Sequence, residues 1–174
     1  ATASASDGIA GGIAVVNSGT IENCMSIGAL STKENGIAGG IVGKLDKNGS
    51  IQIAYSAQTA IEGGTTGAVF GTKEETAGAV NNTYYLDTLS GNEEQGTAKT
   101  AAEMKSNAFK EELNTLVAGN EELCSWTWNS TKNQGYPRIL SSLITEVELV
   151  NASKGVTVKG MMHKDTKLQL NELE

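Results

Sequence analysis

Apolar positions in the first half of the chain fall in short runs separated by Gly, Asn, Ser and Asp, and none of these runs keeps the 3.6-residue spacing of a helix. The runs recur. "GIAGGIAVVNSGTIENCMS" (residues 8–26) is followed by "GIAGGIVGKLDKNGSIQIAYS" (36–56) and by a weaker copy, "TTGAVFGTKEETAGAVNNTYYL" (65–86). Gly11, Gly39 and Gly67 are spaced by 28 and 28, and Gly19, Gly49 and Gly78 by 30 and 29. Each copy reads as three extended segments: Gly-Ile-Ala or its equivalent after the double glycine, then Thr/Ser-Ile-x-x-x-Met/Tyr-Ser, then a poorly matched third ("GALST", "QTAIE").

The four glycines of "GIAGGIVG" invite comparison with a phosphate-binding loop. Such a loop occurs once, between a strand and a helix, and ends in Lys-Ser/Thr, which this chain lacks. Repetition at a fixed interval instead means stacked structural units. If each unit turns once about a common axis, equivalent residues lie about 4.8 Å apart. Ile13, Ile41 and Val69 then form one column, Ile21, Ile51 and Val80 a second, and Met25, Tyr55 and Tyr84 a third with a stacked aromatic pair. The expected fold is all-β: a right-handed β-helix (β-solenoid) of about three turns, with a C-terminal capping helix and a short β tail. A β-sandwich of hairpins is the alternative, but it does not require similar residues at intervals near thirty.

These motifs resemble GLUG-motif repeats, whose pattern runs GGIVG…GTIxNCYS. "GGIAVVNSGTIENCMS", "GGIVGKLDKNGSIQIAYS" and "GAVNNTYYLD" carry the resemblance. It continues through "GTAKTAAEMKSNAFKEELN" and "WTWNSTKNQGYPRIL", which are similar to the segment that closes such arrays. Val15 departs from the pattern where GGIVG ends in glycine, and "IQIAYS" departs from NCYS. The resemblance implies an extracellular segment of a large bacterial surface or wall-attached protein, adhesin-like and non-catalytic. Its partners would be neighbouring domains of the same polypeptide, or a host or cell-wall glycan or protein.

Three regions are expected: repeats over 1–98, a closing helix and hairpin over 99–140, and a β-rich tail over 141–174. "TAAE" from Thr100 to Glu103 is a capping-box signature, and the helix it starts should run to about Val117 and stop near Gly119. Phe109, Leu113, Leu116 and Val117 share one face, which would cover the open end of the stack. "ATASASDGIAGG" reads as the last part of one unit leading into the next, so earlier turns are expected upstream. In the tail, "TEVELV", "GVTVKG" and "TKLQLNELE" alternate apolar and polar residues like the first strands of an immunoglobulin-like module, with His163 in a turn.

Charge and chemistry narrow the function. With 20 acidic and 13 basic residues the formal charge is −7, which disfavours nucleic acid and anionic membrane surfaces as partners. No metal site, cofactor or catalytic residue is expected. Cys24 and Cys124 lie far apart with no CxxC, and "DKNGS" from Asp46 mimics the start of a calcium loop whose twelfth position is Ala57 rather than Glu. Asn-x-Ser/Thr triplets at Asn48, Asn81, Asn129 and Asn151 are common in such a composition. Two alternative functions stay open. Trp126 and Trp128, two apart on a strand, could form a platform for a sugar ring in a carbohydrate-binding module; the competing reading packs both against the helix. A polysaccharide-active enzyme would need paired acids on one sheet face, whereas Glu22 has only Gln52 and Asn81 as column neighbours.

Overall fold

A computed structural model describes residues 7–140, 144–151 and 156–163. The chain divides into two compact units, Ala1–Ile139 and Leu140–Glu174.

In the first unit each repeat copy supplies one strand to each of three parallel sheets. The first copy gives β1 (Ile9–Gly11), β2 (Ala14–Asn17) and β3 (Thr20–Ser31). The second gives β4 (Ile37–Gly39), β5 (Val42–Leu45) and β6 (Ser50–Glu62). The third gives β7 (Thr65–Gly67), β8 (Phe70–Lys73) and β9 (Val80–Leu86). The sheets are ordered β1-β4-β7, β2-β5-β8 and β3-β6-β9, the last extended by β10 (Thr97–Lys99) beside β9. Register follows the sequence repeat: Ile9 pairs with Ile37 and Ile37 with Thr65, while Ile21 pairs with Ile51 and Ile51 with Val80.

One residue per copy breaks the alternation. Asn23, Ile53 and Asn82 all have φ of 50°, and the pairing skips them in β3, β6 and β9. A left-handed residue inserted in a strand reverses which face the following residues take. Ile51 and Ala54 therefore join an inner cluster with Ile41, Val42, Leu45, Val69 and Phe70, while Ile53, Tyr55 and Ala57 join a separate one.

That second cluster is completed by the segment after β10. The expected single helix is two: α1 (Ala101–Met104) and α2 (Asn107–Val117). Thr100 and Glu103 form the capping box, and Ser106 then caps α2 by accepting from the Phe109 N–H, so a second N-cap signal interrupts the first helix. Gly119, at φ 82°, follows the end of α2. Strands β11 (Trp126–Thr127) and β12 (Arg138–Ile139) pair antiparallel.

The expectation that the helix covers the end of the stack is corrected here. Phe109, Leu113 and Val117 pack on Ile53, Tyr55, Tyr84 and Leu86, so α2 lies along the outward face of the third sheet. The end beyond the third copy is closed by residues 87–96 instead. Ser90 accepts from the Ala68 N–H at 2.9 Å, and the Gln95 side-chain oxygen accepts from the Val69 N–H at 2.8 Å.

In the second unit β13 (Ile144–Asn151) and β14 (Val156–His163) pair antiparallel over their whole length. His163 ends a strand opposite Ile144 rather than sitting in a turn. The expected strand over "TKLQLNELE" lies outside the described residues.

Candidate functional site

The columns read from sequence fall in three different environments. Ile21, Ile51 and Val80 are in register, with Ile51 fully buried in the inner cluster and the other two packed against it. Ile13, Ile41 and Val69 are linked through backbone, with the Ile13 N–H donating to Ile41 at 2.8 Å and the Ile41 N–H to Val69 at 2.7 Å. Ile41 and Val69 are wholly buried, but Ile13 is 47% exposed because nothing described lies above it. Met25, Tyr55 and Tyr84 are also in register, yet they face outward into the cluster that α2 helps to form.

The expected stacking of tyrosine on tyrosine gives way to a different arrangement. Phe109 of α2 stands edge-on to Tyr55 at 5.5 Å between ring centres and to Tyr84 at 5.1 Å. Trp126 lies 5.6 Å and Tyr136 6.3 Å from the Tyr55 ring. The Tyr55 hydroxyl donates to the Pro137 carbonyl, and burial pushes its pKa well above the usual phenol value. A phenol buried in this setting stays neutral and serves packing and hydrogen bonding. Lys99 binds Glu112 at 3.0 Å and lies over the Tyr84 ring, which ties α2 to β10.

This packing separates the two tryptophans. Trp126 is 2% exposed against Tyr55, and the half-buried Trp128 donates its indole N–H to the Gly135 carbonyl at 2.9 Å. The two indoles do not form an exposed flat platform. Burying Trp126 takes apolar surface worth about 2 to 3 kcal/mol out of water, offset in part by an indole N–H that is buried without a hydrogen-bond partner.

Several of the remaining polar groups are engaged locally. Glu22 accepts from the Gln52 side-chain amide at 2.8 Å, within the polar outward column expected for them. Asp46 opens a turn: its carbonyl accepts from the Gly49 N–H at 2.8 Å and its carboxylate from the Lys47 N–H at 2.9 Å. Lys44 bridges Glu74 at 2.8 Å and approaches Asp46 at 3.8 Å, and these partners raise its pKa. Asn129 folds back on Thr131 through that residue's N–H and hydroxyl. Both cysteines are free thiols. Burial pushes the Cys24 thiol up to about 12, so it is protonated at neutral pH and a poor nucleophile. Among the described residues no group of three His, Cys, Asp or Glu is placed to hold a metal. A recess of about 280 Å³ near Thr59, Thr66, Thr88 and Ser90 is lined by neutral side chains.

Sequence reasoning missed two structurally decisive sets. The left-handed positions at 23, 53 and 82 had a signal, since two of the three are Asn, the commonest non-glycine residue in that conformation. Gln95 had none, because it belongs to no repeat. Comparison with known proteins finds no matching family model, no matching curated protein and no matching solved structure.

Proposed function

We propose that this chain is a non-catalytic structural or display segment of a large bacterial surface protein, built as a right-handed β-solenoid of about three turns. The observation that carries the reading is the shared register. Residues about thirty apart pair in all three sheets at once, as units stacked along one axis must. Right-handedness follows from the general rule for crossovers between parallel strands. Engagement of Glu22 by Gln52 and of Asp46 by its own turn supports a structural use of polar groups. The extracellular, bacterial setting rests on the resemblance to GLUG-motif repeats.

The mechanism is mechanical. Each layer adds about 4.8 Å of hydrogen-bonded length, and the inner cluster fixes one layer on the next. Neighbouring domains are thereby held at a set separation. Stretching the chain by its two ends should leave residues 7–139 intact until a single step releases them; gradual extension at low force would sink the spacer reading. Incubation with acidic polysaccharides should release no reducing ends. Release that Glu22→Gln abolishes would overturn the non-catalytic reading.

A further inference from the structure

The three copies take different routes from the third sheet back to the first. Gly39, Gly67 and Ser90 hold equivalent places, since their carbonyls accept from the N–H groups of Gly12, Gly40 and Ala68. Ser26, Ser56 and Tyr85 are likewise in register. Ser26 lies 13 residues before Gly39 and Ser56 lies 11 before Gly67, but Tyr85 lies only 5 before Ser90. The third copy cuts the corner, with a path six residues shorter than that of the second.

The shortcut leaves one edge of β6 uncovered. β6 pairs with β3 as far as Glu62, opposite Ser31, whereas its pairing with β9 ends at Ser56, opposite Tyr85. Among the described residues, 57–62 are therefore paired on one side only. The recess of about 280 Å³ lies along this edge, between Thr59, Ala60 and Ile61 of β6, Thr66 of β7, and Thr88 and Leu89 of the shortcut. Both the strand and the path that bypasses it lie inside the described residues 7–140.

The neighbouring layers specify what this edge accepts. Leu30 and Ile61 are register partners; Leu30 is buried, while Ile61 is half-buried and lines the recess with Leu89. Ala29 and Ala60 form a column of small residues beside them, and Ser31 and Glu62 a polar one. Glu62 is exposed and has no ion-pair partner among the described residues. No aromatic ring lines the recess, so a sugar finds no flat face to rest on. An extended backbone, by contrast, meets the unpaired groups of a strand edge.

We propose that this edge is a docking site for an extended peptide of a partner protein, which adds to β6 as the strand that the third copy omits. The occupant runs parallel to β6, as β3 and β9 do. It places a small residue over Ala60, an aliphatic one over Ile61 and against Leu89, and a lysine or arginine over Glu62. Main-chain hydrogen bonds supply the attachment, and the aliphatic and basic positions supply the selection. This surface follows from the register alone and does not depend on the bacterial surface setting.

The probe is a capped peptide that copies residues 58–63 with lysine in place of the glutamate. Titrated into the 174-residue chain, it should shift the backbone amides of residues 57–62 and 88–90 saturably, and a scrambled peptide should not. Those amides among 57–62 that exchange fast in the free chain should slow. Ile61→Lys should weaken binding about tenfold or more with an unchanged melt. Glu62→Lys should weaken it about fivefold and favour instead the peptide that keeps its glutamate, a reversal that misfolding does not imitate. No saturable shift, equal binding of the scrambled peptide, or indifference to both variants would each overturn the proposal. So would a free chain with no fast-exchanging amide among 57–62, since the edge would then already be covered. Neutral monosaccharides that move the same amides while the peptide is inert would assign the recess to a glycan and overturn it as well.

Discussion

The two sides of the third sheet are packed by different rules. On the inner side, Ile51 and Ala54 meet Ile41, Val42, Leu45 and Val69, aliphatic residues among which the columns of Ile41 and Ile51 recur from copy to copy. On the outer side, Tyr55 and Tyr84 meet Phe109, Leu113, Trp126 and Tyr136, large residues drawn from a segment that does not repeat. The inner side is one interface made several times; the outer side is made once. Repetition secures the inner side because each layer templates the next, whereas the outer side depends on one aromatic wedge.

The sharpest way to separate the two is a pair of substitutions. Ile41→Asp places an unpaired carboxylate at a position with no exposure, and the loss should exceed about 5 kcal/mol, comparable to the whole stability of a small domain. Circular dichroism should show an unfolded chain; a cooperative melt near that of the unaltered protein would refute the inner assignment. Phe109→Ala removes the ring that contacts both tyrosines and should cost about 3 to 5 kcal/mol. Here loss should be confined to one side: Trp126 fluorescence should shift to the red while amides of β4 and β5 keep their slow exchange. Equal loss of protection on both sides would mean that the clusters are a single cooperative core.

The inner side was legible in the sequence because its residues are spaced by the repeat. Ile21, Ile51 and Val80 could be aligned by counting, and the structure pairs them. The outer side was half legible. The stripe of Phe109, Leu113 and Val117 was plain, but its partner was not. Residues 51 and 55 are four apart, and strict alternation puts them on one face. The left-handed residue between them at Ile53 puts them on opposite faces, turning Tyr55 toward α2. The same parity change explains why Trp126 finds a buried seat and the sugar platform does not form. Gln95 was invisible for another reason: a cap imitates a missing layer with a side chain, and no spacing rule announces it.

Ile53 gives a second, smaller test of that parity change. A β-branched residue at φ 50° is strained by about 1 to 2 kcal/mol, held there by burial beside Tyr55. Ile53→Gly and Ile53→Ala remove nearly the same contacts, but only glycine is at ease in the left-handed region. The glycine variant should be the more stable by about 1 kcal/mol in urea denaturation. At Ile51, in ordinary strand backbone, the order should reverse, with alanine ahead by about 0.5 to 1 kcal/mol. The same order at both positions would remove the left-handed turn from the explanation.

The smallest effect distinguishes the sides by titration. Cys24 packs against the inner cluster, and burial raises its thiol from 9.0 to about 12. In the unfolded chain the thiol loses its proton near pH 9, while the folded chain keeps it, so the folded state binds more protons between those values. Stability is therefore fully present below pH 9 and falls as the pH rises toward 12. Tyr55 and Tyr84, raised mainly by burial on the outer side, add a fall that begins near pH 10. Cys24→Ser should delay the onset of alkaline destabilisation toward the tyrosine range, whereas Tyr84→Phe should leave the onset and flatten the later part. Denaturant midpoints measured from pH 7 upward would read both slopes. An onset unmoved by Cys24→Ser would mean that the thiol is open to water, and that the inner cluster is looser around the first copy than around the second.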